Sequence, residues 1–179
     1  PKKNPIHYVF SDIGHFEGAV DEVFKNLHKK FGQSCKVWLR TVEHHLRRGD
    51  APRAQAALDR ALQRLPKRKH IKAIAQNALL EYRAGDPERG RNLYESVLLS
   101  YPKRTDLWNV YLDQETKLHR EREPARVRTL YQRITAMALP LKKMKGIFKR
   151  WLEFEEGLGD AAAAQAVKDR AMAFVEQRA

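Results

Sequence analysis

Apolar residues recur at three- and four-residue spacing along most of the chain, as in Ala75, Ala78, Leu79 and Tyr82 and again in Leu93, Val97, Leu98 and Tyr101. That period places one apolar stripe on each of a series of α-helices. No stretch alternates with the two-residue period of a strand. The stripes are interrupted by short polar signals with a clear physical reading. In Gly85-Asp86-Pro87-Glu88, Gly is predicted to take the left-handed position that closes one helix, and Asp to cap the next. Pro fits the first turn of that helix, and Glu favours its positive end. Gly49-Asp50-Ala51-Pro52 and Gly159-Asp160-Ala161 carry the same signal. Leu65-Pro66, Tyr101-Pro102 and Leu139-Pro140 close the second helix of each pair, because the residue before Pro is pushed out of the helical region.

The punctuation is periodic. Setting Val37–Pro66 over Ala73–Pro102 superposes Trp38 on Ile74, His45 on Glu81, Gly49-Asp50 on Gly85-Asp86 and Leu65-Pro66 on Tyr101-Pro102, each 36 residues apart. A third copy runs from Trp108 through Tyr111 and Glu115 to Leu139-Pro140, and a fourth from Phe148 through Trp151 and Glu155 to Met172. The third lacks the turn glycine and carries His119-Arg120-Glu121-Arg122-Glu123-Pro124 instead, which predicts a longer turn. Gly18–Phe31 matches the second half of a unit, so an abbreviated leading repeat is expected, with its first helix near Ile6–Ile13. A helix pair of this size cannot bury its stripe alone, so neighbouring pairs must stack. The expected architecture is all-α: one α-solenoid array over residues 1–179, with units near 6–32, 36–67, 71–103, 106–140 and 144–177. Met172, Phe174 and Val175 at its end need cover. The start on Pro1 rather than Met suggests a segment of a longer protein.

Charge narrows the function more than hydrophobic content does. Among 179 residues, 35 Lys and Arg oppose 22 Asp and Glu, a net charge of +13, which favours polyanionic partners such as RNA, DNA, acidic lipid or acidic protein. The single Cys35 excludes an intrachain disulfide and any multi-cysteine metal site. No apolar run approaches the roughly 18 to 20 residues of a membrane span. His44 and His45 are adjacent and so diverge by about 100° on a helix, whereas metal pairs favour i and i+4. Phosphate-binding glycine loops and nucleophile motifs are missing. The expectation is a chain without metal, cofactor, small-molecule substrate or enzymatic activity.

Two sets of recurring residues invite a functional reading. Trp38, Trp108 and Phe148 share one repeat position, with Tyr111 and Trp151 a turn further on. They suit either base stacking or the contact between successive pairs, and equal spacing favours the core. Glu81, Glu115 and Glu155 recur seven residues after the bulky position. Stacked helices hold such residues about 10 Å apart, too dispersed for an acid/base pair, so they are expected to accept hydrogen bonds inside each repeat.

The basic residues cluster at equivalent places. Lys67, Arg68 and Lys69 follow Pro66, Lys103 and Arg104 follow Pro102, and Lys142, Lys143 and Lys145 follow Pro140. One cation per loop would compensate a helix C-terminus, whereas clusters at repeated corners point to a basic edge that contacts RNA phosphates or an acidic partner. A protein partner could instead lie along the first helices, where Arg40, Arg47, Gln76, Arg83, Asn109 and Asp113 are candidates for a concave binding face.

A bulky residue, a Glu seven positions on, and a second helix of the type Leu-Tyr-Glu-Ser-Val-Leu ending in Tyr-Pro resemble the half-a-TPR (HAT) repeats of RNA-processing proteins. Four strings, Leu65–Ile71, Gly85–Arg91, Ser100–Trp108 and Lys143–Glu155, are similar to the C-terminal HAT region of the ribosomal-RNA-processing protein five family. The resemblance covers Phe16–Gln177. It implies a right-handed superhelix in a nuclear and nucleolar, non-enzymatic assembly factor that contacts pre-ribosomal proteins and pre-rRNA. It also implies a role in the cleavages that release small-subunit 18S rRNA. The alternative setting for such repeats is an RNA-binding module of an mRNA 3′-end-processing or splicing factor.

Overall fold

The computed structural model describes residues 5–177, with side chains described from residue 18 onward. These residues form helices α1 (Pro5–Phe31), α2 (Cys35–Arg47), α3 (Ala51–Arg64), α4 (His70–Ala84), α5 (Pro87–Ser100), α6 (Thr105–His119), α7 (Pro124–Thr135), α8 (Leu141–Leu158) and α9 (Ala161–Glu176), with a 3₁₀ turn at Lys67–Lys69. No strand occurs among the described residues. From α2 onward the elements form four consecutive helix pairs, the α-solenoid class that the periodicity predicts. No described helix is long and apolar enough to cross a membrane.

The turn chemistry is mostly that expected. Gly49 and Gly159 take the left-handed conformation, with φ of 73° and 75°, which costs a residue without Cβ little. Asp50 accepts the Arg53 amide at 3.0 Å and Asp160 the Ala163 amide at 2.9 Å, capping α3 and α9. Asp86 caps α5 through the Glu88 amide at 2.9 Å. Gly85 corrects the prediction, because its φ is −123°. Glycine is needed there for close approach: a Cβ would stand 2.1 Å from Glu81 Oε2, the oxygen that accepts the Asp86 amide at 3.1 Å. The turn of the third pair spans residues 120–123, against 48–50, 85–86 and 159–160 in the other pairs, so the turn without a glycine is the longest of the four.

The start of the chain departs from expectation. Pro5–Phe31 is one 27-residue helix rather than a short helix near Ile6–Ile13 followed by a second. An isolated glycine costs a helix only about 1 kcal/mol relative to Ala, and Gly14 and Gly18 are followed by none of the Asp-Pro or Asp-Ala capping signals that follow α2, α4 and α8.

The chain divides into two compact units between Leu93 and Tyr94. In the first, Val42, Leu46, Ala54, Ala57 and Leu58 form one core cluster, and Trp38, Ala61, Leu65 and Ala73 another. Cys35 packs beside the latter, and burial pushes its thiol pKa upward, as suits a small structural residue. In the second unit the core is more aromatic: Tyr94, Trp108 and Tyr111 are each 1% exposed and join Leu112, Val127, Ile134 and Met144. Tyr94 stacks on Tyr111 at 5.3 Å and Tyr131 on Trp151 at 5.5 Å. At the end of this unit Phe174 finds cover from Phe148 at 5.8 Å, whereas Met172 and Val175 stay half-exposed.

Candidate functional site

The recurring tryptophans are structural. Trp38 and Trp108 are buried, and each indole N–H donates to a carbonyl six residues upstream, Gly32 at 2.9 Å and Pro102 at 2.8 Å. One repeat position thus satisfies a loop carbonyl and fills the core. Trp151, in the next helical turn of its repeat, instead donates to Glu155 at 2.9 Å. Burial pushes the neighbouring Tyr131 phenol up to about 12, so it stays neutral.

The recurring glutamates accept hydrogen bonds, although only in part inside their own repeats. Glu81, 2% exposed, accepts the Asp86 amide and has Arg89 Nε at 3.6 Å, a contact within one pair. Glu115 is 1% exposed with His119 Nε2 at 4.0 Å. Glu155 reaches across repeats. Its carboxylate takes Arg128 Nε at 3.0 Å and Nη2 at 2.7 Å from α7 of the preceding pair, and Arg128 also holds Asp160 at 2.9 Å. Arg128 keeps its charge more firmly because of these carboxylates, Glu155 foremost.

The basic loops sort into engaged and available residues. Lys69 donates its ammonium to the Gln33 carbonyl at 2.7 Å, tying two loops together. Arg104 lies bidentate on Asp106 at 2.8 and 2.7 Å; those bonds raise the Arg104 pKa and hold Asp106 below its usual range. Lys67, Arg68, Lys103, Lys142, Lys143 and Lys145 are exposed, the last three at the start of α8 rather than on a loop. Among the described residues none of these six forms an ion pair.

The first-helix candidates sort in the same way. Arg40 and Arg47 sit on either side of Glu43, at 2.7 and 2.8 Å, and Gln76 and Arg83 are exposed on α4. Asn109 and Asp113 are both engaged by a neighbouring helix, although the Asp113 side chain keeps 52% of its surface. Asn109 accepts Arg150 at 2.9 Å, and Asp113 accepts the other arm of the same guanidinium, so both are spent joining α6 to α8.

Sequence reasoning missed the arginines that join successive pairs. Besides Arg128 and Arg150, Arg133 grips Glu95 with two bonds of 2.8 Å, its guanidinium 5.2 Å from the Trp108 ring, while the Tyr111 hydroxyl donates to Glu95 at 2.9 Å. The partners stand 27 to 41 residues apart. No local spacing signals such pairs.

Comparison with known proteins agrees with this anatomy. A family profile described as the pre-mRNA-splicing factor Syf1/CRNKL1 C-terminal HAT repeat matches residues 88–179. The rRNA biogenesis protein RRP5 of Arabidopsis thaliana is 47% identical over 154 residues, which is 86% of this chain and 8% of that protein. The rRNA biogenesis protein rrp5 of Schizosaccharomyces pombe is 43% identical over 157 residues, 88% of this chain and 9% of that protein. The RRP5 homolog of Homo sapiens is 37% identical over 157 residues, 88% of this chain and 8% of that protein. The chain thus spans less than a tenth of these relatives. Four helix pairs, a shared bulky position that closes each core and these matches together show that the chain belongs to the HAT-repeat family, with the RRP5 proteins among its relatives.

Proposed function

We propose that this segment is a non-enzymatic docking module of ribosome biogenesis, acting in the nucleus and nucleolus and supporting pre-rRNA processing toward small-subunit 18S rRNA. The observation that carries it is a set of exposed cations without an ion pair among the described residues, Lys67, Arg68 and Lys103 between helix pairs and Lys142, Lys143 and Lys145 at the start of α8, in a chain whose relatives are named as rRNA biogenesis proteins. Cations held on ordered backbone attract phosphate without reading sequence. The buried Trp and Tyr rings leave no ladder for stacking bases. Pre-rRNA contact from this segment is therefore auxiliary and sequence-blind, and pre-ribosomal proteins supply the specific contacts. The second reading, a splicing-factor module, is favoured by the description of the matching family profile.

The test reverses charge at Lys67, Arg68 and Lys103 in the full-length protein, omitting Arg104 because Asp106 already neutralises it. Pre-rRNA intermediates and intron-containing transcripts are then measured in cells. Accumulation of uncleaved small-subunit precursors with normal splicing is expected. Retained introns with normal pre-rRNA would overturn the assignment in favour of the splicing reading. In vitro, the triple variant should flatten the slope of log affinity against log salt for a pre-rRNA fragment by roughly two to three.

A further inference from the structure

The second helices of successive pairs are bridged where their side chains meet: Arg133 of α7 holds Glu95 of α5, and Arg89 of α5 reaches Gln55 of α3 at 3.4 Å. Between α1 and α3 the arrangement differs. A cleft of about 830 Å³ opens there, with Lys29 and Lys25 on the α1 wall, Lys25 standing 3.3 Å from Glu22 of its own helix, and Arg60 and Arg64 on the α3 wall. Asp59, which the repeat register makes equivalent to Glu95, is bound by Gln55 of its own helix at 2.9 Å. Asp21 is the acid in the lining, and Arg53 stands 3.6 Å from it at one end. At the other end the cleft continues past Lys29 and Arg64 into a second hollow of about 550 Å³ bordered by Lys30 and Lys69. Like charges facing each other across a low-dielectric floor repel, and an anion between them relieves that repulsion.

The floor favours one class of anion. Its rings are already occupied: His28 stacks on Trp38 at 3.8 Å, the Trp38 N–H is bonded to Gly32, and Phe24 packs against His44 at 5.3 Å. A nucleobase finds no free ring pair to enter. The edge of Phe24 and the methyl group of Ala56, over the buried Ala57, offer apolar surface between the basic walls, which suits a helix with an apolar face and acidic flanks.

We propose that the cleft between α1 and α3 is the docking groove for an acidic, amphipathic segment of a partner protein. Its apolar side chains lie on Phe24 and Ala56, and its carboxylates pair with Lys29, Arg60 and Arg64. The proposal deepens the docking-module reading and rests on it.

The test uses the whole 179-residue chain and fluorescence anisotropy at about 0.1 M salt. The probe is a fluorescein-labelled peptide of about four helical turns with a repeating Glu-Leu-Leu-Glu pattern. A second peptide has the same charge with Ser replacing Leu, and a single-stranded oligouridine serves as the RNA arm. Arg60→Glu/Arg64→Glu should weaken the Leu-containing peptide about tenfold, whereas Lys117→Glu/Arg122→Glu, an equal change in net charge at residues assigned to no binding surface, should leave it within about twofold. Circular dichroism checks that both variants stay folded; their substituted residues are exposed. Equal weakening by both variants overturns the groove, as does no preference for Leu over Ser or no binding of the peptide. Tighter oligouridine binding that Arg60→Glu/Arg64→Glu abolishes overturns the protein partner in favour of RNA. A failed groove alongside impaired pre-rRNA processing in the Lys67, Arg68 and Lys103 variant removes this inference and leaves the proposed function standing.

Discussion

Removing Arg128 is the most informative perturbation of the repeat contacts. Glu155 is 1% exposed and takes both Arg128 Nε and Nη2, with the Trp151 indole as its third donor. Arg128→Leu leaves that carboxylate buried with the indole alone among these donors. Breaking a buried pair from one side costs about 3 to 5 kcal/mol. The Arg128 side chain keeps 31% of its surface, so water reaches the edge of the site and the low end, about 3 kcal/mol, is expected. Glu155→Gln keeps the shape and an acceptor for the indole and should cost about 1 to 2 kcal/mol. Arg128→Leu combined with Glu155→Gln removes both charges together and should cost less than the sum of the two single changes, with a coupling of about 1.5 to 3 kcal/mol. Urea unfolding followed by tryptophan fluorescence measures the cycle, and melting gives a second reading, a drop of about 6 to 12 °C for Arg128→Leu. A cycle that adds within about 0.5 kcal/mol, or an Arg128→Leu cheaper than Glu155→Gln, would refute the view that this pair locks one repeat onto the next.

Trp108→Phe should lower stability by about 1 to 2 kcal/mol through the lost bond to the Pro102 carbonyl and the lost ring volume, while RNA affinity stays unchanged; a specific loss of RNA binding would mean that the ring serves a ligand. Gly85→Ala should displace the Glu81 carboxylate from the Asp86 amide and cost about 1 to 3 kcal/mol by denaturation, and a neutral result would show that Glu81 swings aside freely. Burial holds the His28 and His45 imidazoles below their ordinary pKa. Their contribution is therefore present above the unfolded value of about 6.5 and lost as pH falls through it toward the folded value, because the unfolded chain binds more protons there. The melting temperature should drop between about pH 7.5 and 5.5, and His28→Gln with His45→Gln should flatten that dependence.

The helix pairs were legible in the sequence because each is a local object. A stripe at three- and four-residue spacing, an Asp cap and a Pro stop act within a few residues, and the 36-residue offset shows that the same object recurs. The core assignment of Trp38 and Trp108 followed from that recurrence. Gly85 misled because the same Gly-Asp signal serves two ends, a left-handed backbone at Gly49 and Gly159 and room for a carboxylate at Gly85. The leading helix misled because glycine is permitted in a helix unless a cap follows it.

Sequence alone determined the fold class, the turns from α2 onward, the aromatic core and where surplus charge recurs along the chain, since all of these depend on neighbours along the chain. Tertiary structure decided which charges are free. Arg104 and Lys69 look like Lys67 in the sequence, yet one lies on Asp106 and the other on the Gln33 carbonyl. Asn109 and Asp113 look like a binding face, yet Arg150 takes both. Lys25, Lys29, Arg60 and Arg64 are unremarkable on their own helices and become a basic cleft only when α1 and α3 face each other. The physical reason is range: capping and hydrophobic period act over one helical turn, whereas a charge is neutralised or left bare by whatever the fold brings within a few ångströms of it.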